Sequence, residues 1–216
     1  MFTLALFAGI VSQTILNAVL SIRKEQFRMT NTSKHIVICG YDEGARMLLE
    51  AITQEIETAD TEIIIFSAGE RPKELPPSFS WVSGDPTKES ELDKVRLSHA
   101  SAVIVVGSRR VSPQHADAST ILSIFTIRSY MKKKALEQKR RTPLHLVAEI
   151  LDSENVEHAR AAGADEVIET TRLGFSLLAH AILMPGASAV MSRVATAGEL
   201  GVFVGSIPEE IEAPCL

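Results

Sequence analysis

Three features of the sequence predict an α/β fold built on a doubly wound parallel sheet of strand order 3-2-1-4-5-6. Between Lys34 and Glu169, six short apolar runs alternate with helical or turn-forming stretches. Runs such as HIVIC, EIIIF and SAVIVV are continuous, as expected of strands covered by helices on both faces. The first two runs are joined by a segment with helical spacing of apolar residues, and a parallel pair needs such a right-handed crossover.

The organising unit is Lys34–Ser67. His35–Cys39 is the first strand and ends at Gly40; Ala45, Leu48, Leu49 and Ile52 mark the helix; Glu62–Phe66 is the second strand. The following RPKELPPSF carries three prolines and cannot hold a long helix, so the second crossover is short or irregular. Ser80–Asp85 is a third strand and its turn. Ser90–Val95 is a short helix, with Ser90 as its cap and Asp93 three residues on. Ser101–Val106, the most β-branched run, is the fourth strand. A helix follows from about Gln114 to Gln138, with Ala118, Ile121, Leu122 and Phe125 on one stripe. Lys132–Lys134 and Lys139–Arg141 fit its solvated end, where positive charge suits the macrodipole. His145–Ile150 is the fifth strand, ENVEHARAAG a helix stopped by Gly163, and Glu166–Glu169 the sixth strand. Residues 34–170 therefore form a Rossmann-like domain whose crevice opens between strands one and four.

The next helix, TRLGFSLLAHAIL, has no further strand to cross to. Phe175, Leu177, Leu178, Ala181, Ile182 and Leu183 cover more of its circumference than one core stripe needs, so it is expected to pair with a second copy through Phe175–Leu183. Pro185–Gly186 breaks it and a helical pattern resumes, making 171–195 the dimerisation helices. Residues 196–216 are a tail that starts like a further domain.

The N-terminus departs from a soluble pattern. Residues 1–22 carry no charge, and Arg23, Lys24 and Arg28 follow at once. Such a span is long enough to cross a bilayer as one transmembrane helix, and the basic residues after it place the rest of the chain on the cytoplasmic side. Residues 23–33 are then a linker, and the localisation expected is a single-pass protein of the cell membrane with its main domain cytoplasmic. With 27 acidic against 22 basic residues and a net charge of −5, the chain lacks the basic footprint of a nucleic-acid binder. Cys39 and Cys215 lie at opposite ends of the chain and suggest neither a disulfide framework nor a zinc site.

Together HIVICG and its helix, GDPTKESELDKV, SAVIVVG and AEILDSENVEHARAAGADEVIE resemble, in order and spacing, the regulator-of-potassium-conductance domain, also called RCK, KTN or TrkA-N. The resemblance spans roughly residues 34–185. It implies a Rossmann-like unit that pairs through its last helices, works with a potassium channel or transporter pore subunit, and passes ligand binding on to the pore. By the same comparison the N-terminal helix resembles an inner pore helix, with Gly9 near the family's gating hinge. No TVGYG-like selectivity filter occurs in the sequence.

A dinucleotide fingerprint needs glycine for the tight turn, for close approach of the pyrophosphate, and for helix–strand packing. Here the run is GYDEGA: Gly40 keeps the first role, Ala45 serves the third, and Asp42 stands at the second, where its charge opposes a pyrophosphate. The ribose-binding acid expected at the end of the second strand is missing, since Ile65–Phe66–Ser67 occupies its place, with Glu70 the nearest carboxylate. Asp85 and Thr87 of GDPT either contact a ligand at the crevice edge or close a local turn. The candidate ligand-binding residues are Gly40, Tyr41, Asp42, Glu43, Gly44, Ser67, Asp85, Thr87 and Gly107. The ligand they suggest is a nucleotide such as NAD, ATP or ADP. Some channels of the family bind calcium through carboxylates after strands four and five. Here only Glu149 of the AEIL run is acidic, too few oxygens for that ion, and no metal site is expected. No catalytic residues are expected either, since HExxH, GxSxG and Walker-lysine patterns are absent. The sequence thus reads as a non-enzymatic, ligand-sensing regulatory domain; the alternative is a small NAD(P)-dependent oxidoreductase-like protein.

Overall fold

A computed structural model describes residues 34–55, 61–137, 142–186 and 189–191. The predicted membrane helix (1–22), linker (23–33) and tail (196–216) lie outside the described residues. Among the described residues no helix is long and apolar enough to cross a membrane. The chain divides into two compact units at Arg172/Leu173.

The first unit holds six parallel strands in the order β3-β2-β1-β4-β5-β6. In chain order these are β1 (Ile36–Cys39), β2 (Ile63–Ser67), β3 (Ser80–Ser83), β4 (Ala102–Val105), β5 (His145–Ile150) and β6 (Glu166–Glu169). Helix α1 (Glu43–Glu55) joins β1 to β2, α2 (Pro113–Glu137) joins β4 to β5, and α3 (Val156–Ala162) joins β5 to β6. Between β2 and β3 there is no helix, as the prolines require. That loop is held instead by Arg71, whose guanidinium donates to the carbonyls of Phe79, Leu75 and Pro76.

Alternation along the central strands sorts the core into two layers, because successive side chains point to opposite faces. Val37, Cys39, Ile64, Phe66, Val103, Val105, Leu146 and Ala148 pack with Ile124, Ile127 and Tyr130 of α2 and with Ala159 of α3. Ile38, Ile63, Ile65 and Trp81 pack with Leu49 of α1 and with Leu75 and Phe79 of the proline-rich loop. Cys39 belongs to the first layer, and burial pushes its thiol up to about 12.

Two local expectations are corrected. Ser90 does not cap a helix: the segment Glu89–Val95 is 3-10, starts after Lys88 and has no side-chain cap. Its acids serve elsewhere, Glu91 accepting from the Asp85 amide and Asp93 from the Tyr130 hydroxyl. The Ala118–Leu122–Phe125 stripe of α2 does not face the core either. Leu122 and Phe125 are 51% and 62% exposed, and only Ile121 of that set packs against the core. The buried face is Ala116, Asp117, Thr120, Ser123, Ile124, Thr126, Ile127 and Tyr130. Its polar groups are satisfied at once: Ser123 and Thr126 hydroxyls donate to the carbonyls four residues back. Such back-bonding lets polar residues line a core that hydropathy assigns to the opposite face. The fully buried Asp117 accepts from the Leu151 and Asp152 amides and from the Asn155 side chain, tying the β5–α3 turn to α2.

The helix after β5 does stop at Gly163, in the left-handed region at φ +110. A Cβ there would lie 2.8 Å from Arg128 Cγ. Arg128 donates to the Gly163 and Leu144 carbonyls and pairs with Asp165, so it clamps the far end of the sheet. The second unit begins within α4 (Thr170–Leu183). Leu173, Phe175, Leu178, Ile182 and Leu183 are all exposed on it.

Two predictions follow from this packing. His35 is buried with Nε2 2.9 Å from the Val95 carbonyl, while its Nδ1 has no hydrogen-bond partner among the described residues. Burial holds its imidazole below the ordinary histidine range, against the opposing pull of the Val95 carbonyl. The unfolded chain therefore takes up this proton first, and the stability gained by keeping His35 neutral is complete above about pH 6.5 and lost as pH falls below it. Thermal unfolding of wild type and His35→Gln between pH 7.5 and 5 is expected to show a smaller loss of Tm in the variant; parallel curves contradict the assignment. Asp117→Ala leaves buried amides without acceptors and is expected to lower stability by about 3 kcal/mol in denaturant unfolding.

Candidate functional site

The carboxyl ends of β1 and β4, between which the strand order reverses, help frame a crevice of about 480 Å³. This is the position at which open α/β sheets place ligands. One wall comes from the turn after β1, another from the loops after β2 and β3, and the third from the loop after β4 with the first turns of α2.

The turn after β1 is set by Gly40. Its φ is +92, and a Cβ there would lie 2.8 Å from the Val106 carbonyl oxygen, so only glycine lets the β1 turn pass so close to β4. Asp42 follows, almost completely buried. Its Oδ1 accepts from the amides of Gly44 (2.9 Å) and Ala45 (3.3 Å), and its Oδ2 accepts from the Arg109 amide at 2.6 Å. A helix N-terminus offers free N–H groups and a positive dipole end, which is where a dinucleotide fold seats a pyrophosphate. In this chain the Asp42 carboxylate already holds that position.

Arg109 extends the same network from Asp42 to β5 and to the first residue of α4. Its side chain lies against Gly44, where an added Cβ would stand 3.0 Å from Nε. Its guanidinium pairs with Glu149 of β5 at 2.5 Å. Glu149 also accepts from the Gly107 amide (3.1 Å) and from the hydroxyl of Thr170, the first residue of α4 (2.6 Å). Among the described residues no group of three or more His, Cys, Asp or Glu side chains is placed to hold a metal ion.

Of the residues singled out from the sequence, Gly40, Tyr41, Asp42, Ser67, Asp85 and Gly107 line the crevice together. Tyr41 is fixed edge-on against Trp81, with ring centroids 5.6 Å apart. Gly44 lies behind Asp42 and Arg109, and Glu43 opens α1. Thr87 does not line the crevice; its amide and hydroxyl both donate to Asp85 Oδ1. Asp85 is therefore both a turn former and a lining residue. The Thr87 hydroxyl and amide, with Lys88, hold its carboxyl below the usual carboxylate range despite partial burial. Sequence reasoning missed the third wall: Ser108, Arg110, His115, Ser119, Thr120 and Ser123. The signal available was the SRR run directly after the fourth strand, at the switch point, with hydroxyl residues spaced along one face of the next helix.

Comparison with known proteins matches this geometry to a family. Residues 31–158 fit the family described as the calcium-activated potassium channel slowpoke-like RCK domain. The calcium-gated potassium channel TvoK of Thermoplasma volcanium is 28% identical over 193 residues, covering 85% of this chain and 52% of the channel. The chain thus spans about half the length of that curated relative. Among solved structures, the human SLO3 gating ring aligns over 80% of this chain and 31% of its own, with TM-score 0.56 and 18% identity. The GsuK channel aligns over 68% of this chain and 23% of its own, with TM-score 0.52 and 24% identity. At those identities the structures share the fold. Because the family match covers more than half of the sequence and contains the whole crevice, the chain belongs to the slowpoke-like RCK domain family of potassium channels.

Proposed function

We propose that this protein is a non-catalytic, ligand-sensing regulatory domain of a potassium channel or potassium transport system, cytosolic and tethered to the membrane by residues 1–22. The observation that carries the reading is the crevice of the RCK-family domain, which sits where open α/β sheets take small ligands. Its ligand would bridge the β1, β3 and β4 loops, and the Arg109–Glu149–Thr170 chain would carry the change to the start of α4. Such coupling requires a ligand whose affinity differs between two states of the domain.

The exposed apolar residues of α4 support pairing of two copies through Phe175–Leu183. A solvent-exposed helix bearing Phe175, Leu178, Ile182 and Leu183 is the kind of contiguous apolar surface that marks a protein interface. The TvoK channel and the SLO3 gating ring, named for pore gating, support the assignment of a channel pore as the partner.

Three measurements test this. Light scattering on the full chain in detergent is expected to give a dimer or larger assembly, and Phe175→Glu with Leu178→Glu to give a monomer of unchanged unfolding midpoint; an oligomer indifferent to both charges contradicts the pairing. A chimera in which residues 31–216 replace the matching segment of the TvoK channel is expected to pass potassium in proteoliposomes with an open fraction that depends on a crevice ligand. Turnover of NAD(P)H by the full chain contradicts the non-catalytic reading.

A further inference from the structure

The crevice has two ends of opposite character, and only one of them is free to take an anion. At the glycine turn the amides of Gly44, Ala45 and Arg109 are all spent on Asp42. A pyrophosphate placed there would meet a carboxylate and would have to break three hydrogen bonds to gain its own. On the opposite wall stand Arg110 and His115. The Arg110 guanidinium makes no hydrogen bond or ion pair with the described residues, in contrast to Arg109 beside it. His115 is oriented through its Nδ1 by the Ser112 hydroxyl at 2.7 Å. Ser108 and Ser119 add hydroxyls to the same wall.

Resting on the reading of the crevice as a ligand site, we propose that its ligand is a nucleoside monophosphate, bound in reverse of the dinucleotide mode. The phosphate lies on Arg110 and His115, and no phosphate enters the glycine turn. An arginine fork matches a terminal phosphate in bidentate geometry, which a diester bridge within a dinucleotide offers less fully. The Asp85 carboxylate and Ser67, at the ends of β3 and β2, provide acceptors for sugar hydroxyls or base amino groups. Tyr41, Val105, Val106 and Ala116 give the apolar surface that a base needs. The volume of about 480 Å³ lies in the range of small-molecule sites, whose walls are mostly apolar with a few placed polar groups.

Calorimetric titration of the full chain with AMP, adenosine, NAD+ and inorganic phosphate tests the assignment. AMP is expected to bind about 10- to 100-fold more tightly than adenosine, and NAD+ more weakly than AMP. Arg110→Gln is expected to remove that advantage, weakening AMP to the level of adenosine while adenosine itself is unchanged. His115→Gln should weaken AMP in the same direction. Both side chains are exposed, so unchanged unfolding midpoints show that the fold is intact. Equal affinity for AMP and adenosine overturns the proposal, as does tighter binding of NAD+ that is indifferent to Arg110→Gln. Failure of AMP, adenosine and NAD+ alike to bind overturns the ligand-site reading itself, a result distinct from either of those.

Discussion

The constraint on which the site depends is the Asp42 carboxylate, held by the amides of Gly44 and Ala45 and by that of Arg109. It neutralises the exposed N–H groups at the start of α1 from within the chain, so the helix needs no bound anion to be stable there. It also fastens the β1–α1 turn to the loop after β4, two segments separated in sequence by the whole first half of the sheet. Gly40 makes this possible by allowing the turn to lie against the Val106 carbonyl. The position at which a dinucleotide fold seats a pyrophosphate is thereby taken by a carboxylate of the chain itself.

From this anchor the rest of the crevice follows. With its amide committed to Asp42, Arg109 directs its guanidinium to Glu149, and Glu149 in turn holds the Gly107 amide and the Thr170 hydroxyl. Buried charges persist when paired and hydrogen-bonded, and Glu149 has a partner for each oxygen. The network runs from the first strand's turn to the residue that opens α4. Asp42 and Gly107, which line the crevice, thus share one hydrogen-bond network with the first residue of α4.

The fold was legible because its signals are redundant. Apolar runs of HIVIC and SAVIVV, three prolines after β2 and the glycine after α3 each dictate an element, and strand order followed from their alternation. The face of α2 was not legible. Leu122 and Phe125 outscore Ser123 and Thr126 in hydropathy, yet the hydroxyl residues are the buried ones, because their polar groups bond inside the helix and Asp117 serves a neighbouring turn. The exposed Leu122 and Phe125 are a surface feature that no periodicity count distinguishes from a core stripe. At the site, GYDEGA revealed that Asp42 opposes a pyrophosphate, but not that it takes the pyrophosphate's place. That fact depends on the Arg109 amide, 67 residues away. The Arg110 wall was hidden for the same reason: a surface arginine in a loop has no periodicity, and only the topology brings it to the crevice.

In the proposed binding mode the β4 loop reads the ligand's anionic group while the glycine turn stays closed on Asp42. A crystal structure of the full chain with AMP tests it most directly. Phosphate density is expected against Arg110 and His115, with Asp42 still accepting from Gly44 and Ala45. Phosphate density on the Gly44 and Ala45 amides, with the Asp42 side chain turned out of the crevice, would contradict it.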